Sequence, residues 1–257
     1  MKVQYFGDVK DYRKFALLRA LSEVGQFKAG VSWMLTEADE SGHGDHRSYL
    51  KRPDKWRGYD PVLFDALTSV PSAPTISDLH RIEKEGLIGG ATFFDDFALD
   101  ALQERDAYHA RCMTTLNACD LAFFDPDNGL EVKSVAKGRK GSSKYAYLDE
   151  LADHYRTGRS CLIYQHFPRH VTREHLIITA AARLRHQATE ASIWSFVTPH
   201  VVFLLAARPE HEERVVKGAA VLAERQWLPE FFTAVRKIEA NYAAPDGVET
   251  ETATRQT

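Results

Sequence analysis

The residues best equipped for chemistry lie between positions 119 and 131, in the run Cys-Asp-Leu-Ala-Phe-Phe-Asp-Pro-Asp-Asn-Gly-Leu-Glu. Two carboxylates, Asp125 and Asp127, and one carboxamide, Asn128, follow an apolar stretch directly. Groups of this kind orient amines, accept protons or bind cations. Leu121 to Phe124 has the length and aromatic content of a buried strand. Pro126 fixes φ, and Asn128 and Gly129 tolerate positive φ, so the polar cluster reads as a turn just past the strand's carboxyl end. In open α/β sheets that edge is where ligands bind. A plain tight turn has the same composition. Two other strands ending in polar groups, at Asp95-Asp96 and at Gln165-His166, favour a shared site over three unrelated turns.

Other residues could serve this corner. Between Val132 and Leu148 the chain has no acid but carries Lys133, Lys137, Arg139, Lys140 and Lys144 among Gly138, Gly141, Ser142 and Ser143. The composition predicts a flexible cationic loop that would suit phosphate. His43, Asp45 and His46 sit in a loop with Gly42 and Gly44. Their spacing matches no strong metal site, and no metal is expected. Lys14 lies in a helical stretch whose pattern alone places it on the polar, solvated face.

The elements that must position these groups follow from periodicity. Tyr12, Phe15, Leu18 and Leu21 recur at helical spacing after Asp8, a plausible N-cap, and Gly25 ends the pattern. Strands are predicted over 31–35, 91–94, 121–124, 161–164, 191–197 (an edge strand) and 200–206. Helices are predicted over 62–67, 75–85, 97–113, 149–156, 171–187, 210–227 and 231–242. Strands alternating with helices predict an α/β fold: a Rossmann-like, mainly parallel sheet with helices on both faces and an antiparallel strand pair near the C-terminus. Residues 1–242 read as one domain and residues 243–257 as a disordered polar tail.

Composition narrows the classes. The chain has 257 residues, 44% hydrophobic and 27% charged. No apolar run reaches the length of a membrane span, and the first residues lack the apolar centre of a signal peptide. Three cysteines form no metal spacing and no complete disulfide set, which points to a cytoplasmic protein. The formal charge of -3 excludes a globally basic nucleic-acid binder but leaves room for a local basic patch.

Phe124-Asp125-Pro126-Asp127-Asn128 resembles the Asp-Pro-Pro-Tyr type of tetrad that S-adenosylmethionine-dependent methyltransferases carry after their fourth strand. Asp127 and Asn128 stand in place of its second proline and its aromatic. Gly7-Asp8-Val9-Lys10-Asp11-Tyr12-Arg13-Lys14-Phe15 is similar to the Gly-Asn-x-x-Asp-Val-x-Lys-His segment of the bacterial ribosomal-RNA methyltransferases that modify a large-subunit adenine amine. Gly7, Asp11 and Lys14 fall in register. The loop from His43 to Tyr49 echoes that family's His-Ala-Gly-x-Gly-x-Tyr, Asp96-Phe97 stands at its Asp-Gly, and Gln165-His166-Phe167-Pro168 stands at its Trp-Tyr-Pro.

The resemblance implies S-adenosylmethionine as cofactor, with Lys14, Gly44, Asp96 and Asp125 on its side of the site. Asp125, Pro126, Asp127 and Asn128 would form the catalytic corner, the Asp125 carboxylate and Pro126 carbonyl taking the amine hydrogens. Lys133, Arg139, Lys140, Lys144, Tyr145, His166 and Phe167 would face a nucleic-acid substrate. Two departures stand out. No glycine-rich turn follows the first strand, since Gly42 and Gly44 come late. Asn128 cannot stack on a base, which leaves that role to Tyr145 or Phe167.

Two further readings compete. Pro126-Asp127 with Glu131-Val132-Lys133 spells the words of a magnesium-dependent nuclease core, with only three residues between Asp127 and Glu131. The missing glycine-rich turn also fits a catalytically degenerate methyltransferase-like binding protein.

Overall fold

The computed structural model describes residues 1–38, 46–224 and 230–239. Leu121–Phe124 (β3), the strand expected from the apolar run, lies inside the sheet. Parallel neighbours flank it: Ala29–Ser32 (β1) on one side and Ser160–His166 (β6) on the other. Thr92–Phe94 (β2) pairs parallel with the outer side of β1. Beyond β6 the direction changes. Val201–Ala207 (β8) runs antiparallel to β6, Ser192–Val197 (β7) runs antiparallel to β8, and Ala234–Ile238 (β9) closes that edge antiparallel to β7. The order among the described residues is β2-β1-β3-β6-β8-β7-β9. A separate parallel pair joins Gly129–Leu130 (β4) to Tyr145–Ala146 (β5).

Both faces of the sheet are covered, which explains why β1, β3 and β8 are buried along their whole length rather than in alternation. Val31, Phe123, Leu162 and Leu205 lie in register across four strands and face one core. That core is covered by Val9–Glu23 (α1), Pro61–Thr68 (α3) and Glu212–Glu224 (α9). Ala122, Cys161 and Ala206 face the other core. Leu102–Thr115 (α6), Leu148–Arg156 (α7) and Arg173–Gln187 (α8) cover that side. Each fully buried Phe or Leu contributes about 1.5–3 kcal/mol relative to exposure, so the two layers outweigh the weak local propensities of such short strands.

α1 lies deep in the molecule. Asp8 caps it, its carboxylate accepting from the amides of Lys10 (2.7 Å) and Asp11 (3.0 Å). α3 and α9 pack on it in addition to the sheet. Its nominal polar side is covered too: Arg13, beside Trp56 and Phe231, and Lys14, beside Asp125 and Tyr164, are each only 2% exposed.

Several expectations need correction. The segment expected to be a helix over 97–113 becomes helical only at Leu102. Before that, Phe97 bridges to Leu35 and the Ala98 amide donates to the Leu35 carbonyl, so the chain stays extended beside β1. The helix expected over 75–85 is two short turns, Ile76–Leu79 and Arg81–Lys84, broken at His80. Residues 234–238 are strand β9, not part of a terminal helix, because β7 offers an unpaired edge; β7 is consequently interior. The tail 243–257 lies outside the described residues. No described helix is long and apolar enough to cross a membrane.

Candidate functional site

The carboxyl ends of β3 and β6 meet the start of α1 around a crevice of about 230 Å³. Its walls include Asp8, Lys10, Asp11 and Lys14 from the helix side. Asp125, Pro126, Asp127 and Asn128 follow β3, Tyr164 and His166 end β6, and Lys144 arrives from the basic segment. The sheet edge thus brings together the acid-proline corner, the strand-end histidine and the first-helix lysine.

Lys14 is the keystone of this wall. Its Nζ lies 2.5 Å from Asp125 Oδ2 and 2.6 Å from Asp11 Oδ1. Burial works against the ammonium, but the carboxylates of Asp11 and Asp125 outweigh it and hold the Lys14 pKa above its ordinary value. The sequence pattern of a solvated lysine is overturned here, because opposite charges three residues along the helix and across the sheet replace its water. Asp11 Oδ2 also accepts from the Gly7 amide at 2.8 Å. Burial first, and Asp11 second, push the Asp8 carboxyl up to about 7.

Asp125 lines the crevice with one of its carboxylate oxygens engaged by Lys14. Its carboxylate holds Lys14, its amide donates to the Ser32 carbonyl, and it is 3% exposed. Asp127 is more open: one oxygen accepts from Thr36 Oγ1 at 2.6 Å and the other lies 3.2 Å from the Met1 ammonium. That ammonium also donates to the carbonyls of Met34 (2.7 Å) and Asp125 (2.9 Å), while the Met1 carbonyl accepts from the Thr36 amide.

Asn128 is exposed, and its amide donates to the Lys144 carbonyl. Gly129 follows at φ +99°, where a Cβ would sit 2.4 Å from Gln165 Oε1. The space belongs to the Gln165 carboxamide, which accepts from the Leu130 amide at 2.8 Å and ties the turn to β6.

His166 faces the crevice with Nε2 3.2 Å from the Tyr164 hydroxyl. Burial, then the nearby Lys10 ammonium, lower its pKa to about 4, so the imidazole is neutral near pH 7. Through Asp127, Asn128 and His166 the crevice opens into a larger groove of about 880 Å³ between the β4 segment and α8. Tyr145, Gln165, His170 and Arg183 line this groove.

The remaining sequence candidates fall elsewhere. Asp96 pairs with Arg111 at 2.6 Å and does not line the crevice; the extended stretch before α6 carries it away. Phe167 stacks under Arg173, 5.0 Å from guanidinium to ring centre, and lines neither crevice nor groove. Arg139 and Lys140 are exposed on the turn 138–143. Gly44, with His43 and Asp45, lies outside the described residues, and the His46 ring stacks on His200.

Lys133 and Glu131 line a third cavity, and Glu131 pairs with Arg183 at 3.3 Å. Asp127 does not reach it, because β4 intervenes and carries Glu131 to the other side of the turn. The three residues of the nuclease alternative therefore share no cavity, and no cluster of metal-type side chains occurs among the described residues.

The basic segment is not the loose loop that its composition predicts. Its ends pair as β4 and β5, and Lys137 binds Asp149 (2.7 Å) and Glu150 (3.3 Å). The buried Arg105–Glu150 pair lies behind β5, with Arg105 Nη2 donating to the Tyr145 carbonyl.

Sequence reasoning gave Asp8 only a capping role and Asp11 only a place in register with the family segment, although the three-residue spacing Asp8, Asp11, Lys14 was a readable sign of one charged helix face. Lys10 and Tyr164 had no such signal.

Compared with family models, with characterised proteins and with solved structures, the chain matches none.

Proposed function

We propose that this protein is an S-adenosylmethionine-dependent methyltransferase acting on an adenine amine of nucleic acid. The observation that carries the reading is the meeting of Lys14 with Asp125 at 2.5 Å, where an acid-proline corner and a strand-end histidine enter one crevice. The sheet order supports it: parallel strands β2-β1-β3-β6 are followed by β8, reversed between β6 and β7, and a second reversed strand, β9, closes the edge. The crevice lies at the carboxyl ends of β3 and β6, the sheet edge at which α/β folds hold ligands.

The donor set fits the amino-acid end of the cofactor. Two strand-end carbonyls and Asp127 hold an ammonium, and the Thr36 amide satisfies the adjoining carbonyl oxygen; in this structure Met1 makes those contacts. Met34, Thr36, Asp125 and Asp127 are thus the residues that would hold that end, with Met1 displaced. The bound cofactor would supply an electrophilic methyl group.

The chain's own residues do the rest. The Lys14–Asp125 pair fixes the corner rather than touching the acceptor. The Pro126 carbonyl and the Asn128 carboxamide orient the amine hydrogens. His166, neutral near pH 7, receives the proton that the amine releases. The groove bearing Tyr145 and Arg183 takes the nucleotide, Tyr145 offering the ring that Asn128 lacks.

Calorimetry with S-adenosylmethionine and S-adenosylhomocysteine tests the first half, and methyl transfer to RNA and single-stranded DNA the second. Micromolar binding of both ligands, lost in Asp127→Ala, is expected. Absence of heat with either ligand at high micromolar concentration overturns the assignment. Binding without transfer to any nucleic acid leaves a cofactor-binding protein and removes the enzyme.

A further inference from the structure

The turn 138–143 and the segment 97–102 form one exposed surface. Asp100 accepts from the amides of Gly141 (2.7 Å) and Ser143 (2.8 Å), and Ser142 Oγ donates to the Asp100 carbonyl (3.1 Å). At the other end of the turn Gly138, at φ +85°, sits so close to Leu102 that a Cβ would lie 3.0 Å from the leucine Cβ. The turn is therefore clamped onto the start of α6.

Phe97, Leu99 and Leu102 project from this surface, 47%, 44% and 52% exposed. Ala98 between the first two is buried and bonded through its amide to Leu35, so the backbone under them is fixed. Arg139 and Lys140, between the two clamped ends of the turn, are exposed and make no ion pair among the described residues. The acids from Asp95 to Asp100 are already matched. Asp95 pairs with His80 at 2.7 Å, Asp96 with Arg111, and Asp100 with the turn amides. The surface combines an aromatic ring, two aliphatic side chains and two uncompensated cations.

We infer that this surface docks single-stranded nucleic acid, with unstacked bases on Phe97 and its aliphatic neighbours and phosphates on Arg139 and Lys140. The inference rests on the nucleic-acid reading above and adds strandedness and contact residues. A duplex hides its base faces and would leave the three apolar side chains against sugar and phosphate, whereas a single strand offers π-faces to an aromatic platform.

Fluorescence anisotropy of the full-length protein with a labelled single strand of about twelve nucleotides, and with the matching duplex, tests this without any cofactor. The single strand is expected to bind more tightly. Phe97→Ala is expected to weaken it about five- to hundredfold and to leave the duplex unchanged. Arg139→Ala with Lys140→Ala should weaken both and lower the slope of log affinity against log salt by about 1–2. All these residues are exposed, and unchanged thermal melts check that the variants fold.

Equal affinity for the two forms, or indifference of the single strand to Phe97→Ala, overturns the inference. So does a wild-type dimer, seen by sedimentation, that Phe97→Ala dissolves. The two proposals fail separately. Phe97-dependent strand binding with no cofactor binding sinks the methyltransferase and keeps the surface. Methyl transfer by Phe97→Ala with an unchanged KM for a single-stranded acceptor does the reverse.

Discussion

Replacing Lys14 by methionine removes one positive charge from the midst of Asp11 and Asp125 while keeping most of the side-chain volume. The lysine is 3% exposed at its side chain and lies within 2.6 Å of both carboxylates. Removing one partner of a buried ion pair typically costs about 3–5 kcal/mol, because the charge left behind has neither water nor partner. For a domain of this size that corresponds to a fall in Tm of about 6–20 °C. Urea denaturation and thermal melts at about pH 7.5 and about pH 5 measure it.

The pH arm has a definite sign. Burial pushes the Asp125 carboxyl up, while Lys14 pulls it down. Without Lys14 burial is less opposed, the folded-state pKa rises further above the unfolded value, and stability increases as pH falls through it. The deficit of Lys14→Met should therefore shrink at the lower pH. Adding Asp125→Asn to Lys14→Met should recover about 1–3 kcal/mol relative to the sum of the single changes, since the two residues are in contact. A Lys14→Met variant within about 1 kcal/mol of wild type at both pH values would show that the pair does not anchor the corner.

Gly129→Ala forces a side chain into the left-handed region and onto the Gln165 carboxamide; a loss of about 2–4 kcal/mol in urea titration is expected, and a neutral result means the turn can move away. Asp8, raised to about 7 by burial and by Asp11, keeps a proton in the native state that the unfolded chain has already released. Wild-type stability should thus contain a component that falls as pH rises from about 4 to about 7, and Asp8→Asn, which can still cap α1, should flatten it; an unchanged pH–stability slope contradicts the assignment. Asp100→Ala frees the 138–143 turn, so trypsin cleavage after Arg139 and Lys140 should accelerate and amide exchange at Gly141 and Ser143 should quicken, with global stability little changed; protection equal to wild type refutes the clamp.

Local pattern was enough for the α/β class, for β3, and for the turn after it, since an apolar run ended by Asp-Pro-Asp-Asn-Gly permits few other conformations. The alternation of strand and helix signals likewise carried the parallel half of the sheet and the antiparallel pair β7–β8, because those signals depend on residue spacing alone. Lys14 was beyond such reasoning. A helical period can mark one apolar face, but only the placing of α1 against the carboxyl ends of β3 and β6 decided that Lys14 is buried beside Asp125 and Tyr164. The same holds for β9, whose strand conformation follows from the free edge of β7, and for the basic segment, whose order comes from Asp100 and from strand pairing. Asp127 and Glu131 are only four positions apart in the sequence yet face different cavities, because the two-residue strand between them turns the chain. Charges and edges find their partners across the fold, through contacts that carry no trace in the spacing of neighbours along the chain.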